Sequence, residues 1–223
     1  MRIISANLNG IRSAATKGFF DWLPSLGADV VCVQELKAQA ADLKPEFIQC
    51  DGLTGAFHYA EKKGYSGVGV YTRTPPQRII EGLGVPEFDA EGRYIEADYG
   101  NLAVISLYQP SGSSSEDRQL AKYRFLDAFF PRLEALIKSG REIVICGDWN
   151  IAHREISLYP EHTGEAYTWW SNRGQAYAKN VGWRIDYQIA TPGIAAKATS
   201  ASVYKDQRFS DHAPLIVDYD LTL

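Results

Sequence analysis

Cysteine is scarce and odd in number: the chain of 223 residues carries three, Cys32, Cys50 and Cys146. They are widely spaced, and Cys32 and Cys146 each lie inside an apolar run. They therefore read as buried thiols in a reducing compartment, which excludes a disulfide framework and a thiolate zinc site. No stretch of about 18 or more apolar residues occurs, so no helical membrane span is expected. A secretion signal is missing as well: the N-terminus enters a strand-like run at once, Arg2-Ile3-Ile4-Ser5-Ala6-Asn7, without a basic start or a cleavage site. A cytoplasmic, monomeric protein without membrane attachment is the expectation. Repeats, low-complexity tracts and charged tails are absent. So is a basic excess, since the formal net charge is −4. Taken alone this speaks mildly against a polyphosphate partner, but a metal site needs carboxylates that cancel basic residues elsewhere, and the local field decides.

What is present is an ordinary globular composition with many short apolar segments. Eight read as strands: Ile3–Leu8, Asp29–Val33, Gly67–Tyr71, Tyr94–Ala97, Leu102–Leu107, Ile143–Cys146, Ile185–Ala190 and Leu215–Val217. Most are rich in Val, Ile and Tyr, and turn residues bound them. Helical patterns are fewer. One covers Gly18–Leu26, limited by Pro24. The clearest runs from Glu116 to Ser139, where Leu120, Phe125, Leu126, Phe129, Phe130, Leu133, Leu136 and Ile137 recur at helical spacing. Ser113–Ser115 offers an N-cap, Gly140 a stop, and Pro131 a kink. Strand and helix do not alternate regularly. Two packed sheets with helices outside fit better than a doubly wound sheet.

Polar residues with catalytic potential stand where the apolar runs end. Asn7 ends the first, Glu35 follows the second, Tyr108 ends Val-Ile-Ser-Leu-Tyr, and Asp148 and Asn150 follow Ile-Val-Ile-Cys-Gly. Asp186 lies in Arg-Ile-Asp-Tyr, and Asp211-His212 precede the last run. Any one of them is more often a turn or surface residue, and Trp169, Trp170 and Trp183 divide evenly between core and site. The set as a whole is what a turn reading leaves unexplained. Hydrolysis of a phosphodiester needs a Lewis acid, a base for water and donors on the phosphate. Glu35 offers a hard oxygen ligand for Mg²⁺. Asp148 can act as base, while Asn7, Asn150 and Tyr108 orient or donate, and Asp186 can hold one nitrogen of His212 so that the other faces a phosphate.

At these residues the chain resembles the exonuclease III / AP endonuclease family of the endonuclease–exonuclease–phosphatase superfamily. The resemblance runs over nearly the whole chain: Ala-Asn-Leu-Asn-Gly-Ile-Arg (6–12), Gln-Glu-Leu-Lys (34–37), Glu-Gly-Arg (91–93), Tyr-Gln-Pro-Ser-Gly (108–112), Gly-Asp-Trp-Asn-Ile-Ala-His (147–153), Tyr-Thr-Trp-Trp-Ser (167–171), Asn-Val-Gly-Trp-Arg-Ile-Asp-Tyr (180–187) and Ser-Asp-His-Ala-Pro (210–214). It implies a four-layer α/β sandwich, two packed mixed β-sheets flanked by helices, as one catalytic domain over 1–223. It implies Mg²⁺, or Mn²⁺ in its place, at Glu35 with Asn7 and Asp211 assisting. Asp148, Asn150, Tyr108, His212 and Asp186 are then the catalytic group, and Trp169, Trp183, Arg173 and Ser111 bind substrate. The implied substrate is double-stranded DNA with an abasic site or a 3′ end, left with a 3′-hydroxyl. The alternatives are a superfamily phosphatase on lipid or inositol phosphates, and a DNA-binding module with impaired catalysis. The chain departs from the family between His153 and Tyr167, where members carry a few tens of extra residues beside the duplex. The shortening leaves every named site position in place and predicts a weaker grip on DNA.

Overall fold

The structure is a computed structural model and describes residues 1–152 and 167–223; the shortened connection after His153 lies outside the described residues. Among the described residues twelve strands form two sheets. In chain order they are β1 (Arg2–Asn7), β2 (Val30–Gln34), β3 (Gln49–Cys50), β4 (Leu53–His58), β5 (Val68–Thr72), β6 (Arg78–Glu81), β7 (Tyr94–Asp98), β8 (Leu102–Tyr108), β9 (Glu142–Asp148), β10 (Asp186–Ala190), β11 (Ala198–Val203) and β12 (Leu215–Tyr219). The larger sheet has the order β11-β12-β1-β2-β5-β4-β3, the smaller β10-β9-β8-β7-β6. Short helices α1 (Ile11–Thr16), α2 (Phe19–Trp22) and α3 (Pro45–Ile48) precede α4 (Pro86–Asp89), α5 (Glu116–Lys138) and α6 (Pro192–Ala195).

Three apolar clusters separate four layers. Phe19, Trp22, Leu23 and Phe47 cover one face of the larger sheet with Ile4, Val31 and Val33. Phe125, Phe129 and Leu136 of α5 cover the outer face of the smaller sheet with Ile105, Ile143 and Ile145. Between the sheets lie Ile3, Val30, Cys32, Val70, Leu102, Val104, Val144 and Cys146. The expected four-layer α/β sandwich is the fold found. Cys32 and Cys146 are buried in its centre, and all three cysteines are free.

The eight expected strands all form, and their sequences explain why. β2 and β8 sit inside their sheets, so their residues are buried on both faces and read as near-continuous apolar runs. β6 and β11 escaped the pattern because they lie at sheet edges and are mostly exposed; Ala-Thr-Ser-Ala-Ser-Val carries no buried stripe. The helix expected over Gly18–Leu26 is α2 followed by a 3₁₀ turn, Leu23–Leu26, because Pro24 enters at its start. In α5 the Ser115 hydroxyl accepts from the Arg118 N–H and Gly140 has φ +73°, as the capping residues predict. Three residues counted in its apolar pattern face outward instead: Leu120 is 49% exposed, Phe130 50% and Ile137 54%. A helix lying on one sheet buries one narrow stripe, and Phe125, Phe129 and Leu136 occupy it. Among the described residues no helix is long and apolar enough to cross a membrane.

What positions chemistry is the run of inward-facing residues along each inner strand. They read Ile3, Ser5, Asn7 on β1; Val30, Cys32, Gln34 on β2; Leu102, Val104, Ser106, Tyr108 on β8; and Val144, Cys146, Asp148 on β9. β10 runs antiparallel to β9 and reads Ala190, Gln188, Asp186 in the same direction. β1 is parallel to β2, and β8 to β9. Their C-terminal ends therefore meet at one edge, where a dry inter-sheet core gives way to polar side chains.

The outward turn of Phe130 makes a sharp contrast testable. Phe129→Ala empties a buried site in the cluster under α5 and should cost about 3–5 kcal/mol, whereas Phe130→Ala should stay within roughly 0.5 kcal/mol. Chemical denaturation of the two variants decides it; equal losses would contradict the placement of α5.

Candidate active site

Asn7 is the joint of the site. Its Nδ2 donates to Glu35 Oε1 at 2.9 Å and to Asp148 Oδ2 at 3.0 Å, and its Oδ1 accepts the Asn9 N–H at 3.0 Å. Asp148 also accepts the Asn150 N–H at 2.8 Å through Oδ1. His212 stands across from it, with Nε2 3.9 Å from Asp148 Oδ2 and Nδ1 2.9 Å from Asp186 Oδ2. The Tyr108 hydroxyl lies near Glu35, whose charge acts on it. Asp211 accepts from Asn9 Nδ2 at 2.7 Å and from Trp169 Nε1 at 3.1 Å. Trp169 and Trp183 have ring centroids 5.1 Å apart and are bridged backbone to backbone, and Trp169 is also bridged to His212.

Local sequence builds this arrangement. Asn9, Glu35, Lys37 and Asn150 have φ between +45° and +52°, a left-handed conformation that costs a non-glycine residue about 1–3 kcal/mol and gathers at functional sites. Gly147 lets β9 approach β8: a Cβ there would fall 2.0 Å from the Leu107 carbonyl oxygen. The Thr168 hydroxyl accepts the N–H groups of Ile185 and Asp186, both at 3.1 Å, and the Thr168 carbonyl accepts the Ala213 N–H at 2.8 Å. One buried threonine thus fixes the start of β10, where Asp186 stands, relative to the loop carrying His212.

The charges perturb one another. Burial and the neighbouring Asp186 push the Asp148 carboxyl up to about 7, although His212 and the Asn150 N–H oppose them. Burial alone would lower His212; the charge and hydrogen bond of Asp186, with Asp148 and Asp211 behind, outweigh it and raise the imidazole to about 10. Burial likewise works to raise Glu35, yet Lys37 and Asn7 hold its carboxyl below the usual range. Burial, Glu35 and Asp148 lift the Tyr108 hydroxyl well above its ordinary value, and Arg93 opposes them.

Ten of the twelve expected site residues come together here. Ser111 and Arg173 are not hydrogen-bonded to the cluster among the described residues: the Ser111 hydroxyl pairs with Ser113 at 3.1 Å, and Arg173 is exposed with its N–H on the Ser171 hydroxyl. Asn150 turns its Nδ2 to the Gln109 carbonyl at 2.9 Å, and its own carbonyl accepts from Lys122 at 2.8 Å. Three residues were quoted only within motifs. Lys37 pairs with Glu35 at 2.7 Å and donates to Asn9 Oδ1. Arg93 is 1% exposed, lies 4.8 Å from the Tyr108 ring centroid, and donates to the Tyr108 carbonyl at 3.0 Å. The signals were available for the first two: Asn9 and Lys37 follow Asn7 and Glu35 by two residues. Arg93 had none, because its burial follows from packing.

A hard divalent cation fits this donor set. Glu35, Asp148 and His212 each offer a ligand atom, all within 4.8 Å of one another. The carboxylate oxygens suit Mg²⁺, while Asp186 keeps the imidazole protonated and so better suited to donating than to ligation.

His212 has its folded-state value above the ordinary 6.5, so the stability its proton brings is complete below about 6.5 and is lost as pH rises through about 10. Asp186→Asn should move the His212 titration, followed by NMR in metal-free protein, back towards 6.5. An unmoved titration would refute the assigned cause.

Residues 4–212 match the Endonuclease/Exonuclease/phosphatase family. An exodeoxyribonuclease of Bacillus subtilis (strain 168) is 32% identical, aligned over 96% of this chain and 98% of its own length. That alignment spans 253 positions, more than this chain's 223 residues, so the relative has stretches without a counterpart here. A DNA-(apurinic or apyrimidinic site) endonuclease of Dictyostelium discoideum is 28% identical over 99% of this chain and 71% of its own. The catalytic domain of Xenopus laevis APE2 superposes with a TM-score of 0.86 at 25% identity, covering 98% of this chain and 91% of that one. With the fold, the strand-end cluster and these matches in hand, the chain belongs to the Endonuclease/Exonuclease/phosphatase family.

Proposed function

We propose that the chain is a divalent-metal-dependent DNA-repair phosphodiesterase of exonuclease III type. It hydrolyses the backbone at abasic sites, trims 3′ ends, or both, and leaves a 3′-hydroxyl. The observation that carries this is the cluster itself: one amide joins Glu35 to Asp148, and a buried Asp186–His212 pair faces Asp148 from across the opening. Two relatives named for work on DNA, an exodeoxyribonuclease and an apurinic-site endonuclease, support the choice of substrate.

In this reading Asp148 takes a proton from the attacking water. A carboxyl that titrates near 7 is well matched to that task at neutral pH. Asn7 and Asn150 hold Asp148 in place through the two hydrogen bonds it accepts. The protonated His212 donates towards the phosphate and offsets the charge that develops there, and Asp186 keeps both its proton and its orientation. Tyr108 donates from the side of the smaller sheet. Glu35 would hold the metal, with Asp148 and Asp211 as nearby carboxylates; a bound Mg²⁺ or Mn²⁺ supplies Lewis acidity to the phosphoryl oxygens. Trp183, 41% exposed beside Trp169, walls a pocket for a sugar without its base. Residues 1–223 act as one catalytic domain and as a monomer.

The test uses three labelled duplexes: abasic, 3′-phosphorylated, and nicked but undamaged. Cleavage of the damaged ones in Mg²⁺ or Mn²⁺, abolished by chelator, is expected. Turnover of soluble inositol phosphates without turnover of DNA would favour a phosphatase, and binding without any turnover a DNA-binding module. Glu35→Gln should lose most activity. Asp148→Asn should lose about 10²–10⁴-fold in turnover with DNA binding retained; near-normal turnover would mean that another group activates the water. Trp183→Ala should weaken action on abasic duplex more than on a small phosphodiester, by the roughly 1–3 kcal/mol of a stacking contact. An equal loss on both, together with a lowered melting temperature, would make Trp183 a structural residue.

A further inference from the structure

Asp148 is held at both of its carboxylate oxygens. Oδ2 accepts from Asn7 on the larger sheet, and Oδ1 accepts from the Asn150 N–H, two residues further along the chain. The second bond requires the Asp148-Trp149-Asn150 turn to fold back on itself. That bend leaves Asn150 in the left-handed region, with φ +50°. A side chain other than glycine stays there only where its surroundings hold it.

The neighbouring strands hold part of the turn. The Gln109 N–H donates to the Asp148 carbonyl at 3.0 Å, Asn150 Nδ2 donates to the Gln109 carbonyl at 2.9 Å, and the Trp149 N–H donates to the Ile185 carbonyl at 2.9 Å. The Asn150 carbonyl is held from elsewhere: Lys122 Nζ of α5 donates to it at 2.8 Å. Nearby polar side chains do not substitute for the lysine, since Trp149 Nε1 and both ends of the Gln109 amide are buried without a hydrogen-bond partner among the described residues.

Lys122 is not placed like a surface lysine. It is half-buried, and it has no carboxylate partner among the described residues. A lysine stem is long and flexible enough to carry its ammonium out to water. Here the ammonium ends on one carbonyl instead, and burial pulls it below its ordinary range while Asp148 draws it back. The helix fixes this position. Lys122 precedes Phe129 by seven residues, two turns on one face. The Phe129 ring packs on Trp149 with centroids 6.0 Å apart, and Phe125 between them is fully buried. α5 therefore grips the turn twice, at the Trp149 ring and at the Asn150 carbonyl.

We propose that Lys122 is a positioning residue for the reaction: by holding the Asn150 carbonyl it keeps the left-handed turn closed, and the closed turn keeps the Asp148 carboxylate aimed at the attacking water. The inference rests on the reading of Asp148 as the base. Lys122 acts from outside the cluster, through the main chain.

Lys122→Met removes the donor and keeps most of the length and bulk of the stem. On abasic duplex in Mg²⁺ it should lower kcat about tenfold to a hundredfold and leave KM and the salt dependence of binding as in the native protein. Lys122→Arg keeps a cationic donor and should recover most of that loss. A raised KM with a salt slope shallower by about 0.9 would make Lys122 a phosphate contact and overturn the proposal, as would an Arg variant no better than the Met variant. Amide hydrogen exchange in metal-free protein gives a readout without turnover. The Asn150 N–H should exchange about tenfold faster in Lys122→Met, the weight of one charge-assisted hydrogen bond, while the amides of β8 and β9 keep their native rates. An unchanged Asn150 rate would show that the turn does not need the lysine, and acceleration across both strands would show that the lysine holds the fold; either result overturns the positioning role. Absence of turnover on abasic duplex by the native protein would instead sink the functional reading, and the exchange rates would then decide alone whether Lys122 holds the turn.

Discussion

The site depends on one hydrogen-bonded amide that spans the two sheets. Asn7 ends a strand of the larger sheet and Asp148 a strand of the smaller, and the 3.0 Å bond between them closes the gap where the apolar filling stops. Below it the sheets are held by apolar burial, which specifies spacing but not direction, and by a few neutral hydrogen bonds, among them Gln34 to the Ser106 hydroxyl and Gln188 to the Ile3 carbonyl, both at 3.0 Å. An amide donor with two carboxylate acceptors does specify direction. It sets Glu35 and Asp148 at one separation and forces their negative charges to share a donor in a place that water reaches poorly. The other features of the cluster, including the cationic histidine and the Lys37 contact, are responses to that concentration of charge.

Two carboxylates and an imidazole are buried together here, which is expensive unless the charges compensate. Asp186 and Asp148 flank His212, so one positive ring is held between two acids. Protons in such a group belong to the set rather than to one member. In the proposed reaction that coupling has a use: a proton accepted by Asp148 alters the field on His212 as hydrolysis proceeds. Arg93 extends the same logic to Tyr108. It is a fully buried cation against the Tyr108 ring, and it opposes the burial and the acidic neighbours that raise the hydroxyl above its ordinary range. Arg93 in turn donates to the Tyr65 hydroxyl at 2.8 Å, which also takes Arg118 at 2.9 Å, so the support reaches the start of α5.

Much of this was legible in the sequence because strands buried on both faces cannot hide a polar residue without a reason. Asn7, Tyr108 and Asp148 announced themselves by closing runs of Ile, Val and Leu. The same runs point to two packed sheets with helices outside, and the four-layer arrangement came with the family resemblance. Less legible was whatever depended on what packs against what. β6 and β11 have no buried stripe, so nothing in Arg-Ile-Ile-Glu or Ala-Thr-Ser-Ala-Ser-Val distinguishes an edge strand from a loop. Leu120, Phe130 and Ile137 fitted a helical period, yet one sheet can cover only one stripe of α5. Thr168 reads as an ordinary residue inside Tyr-Thr-Trp-Trp-Ser, and only the fold shows that it receives two backbone N–H groups.

The left-handed backbone at Asn9, Glu35, Lys37 and Asn150 has a wider consequence. At each position glycine would relax the main chain, so the composition best for folding and the composition best for chemistry diverge at the same four places. A search that selected only for thermal tolerance would drift towards erasing the site, one relaxed turn at a time. Long-term retention of these side chains therefore requires selection on turnover itself, and the surplus stability that permits it must be drawn from the three apolar layers elsewhere.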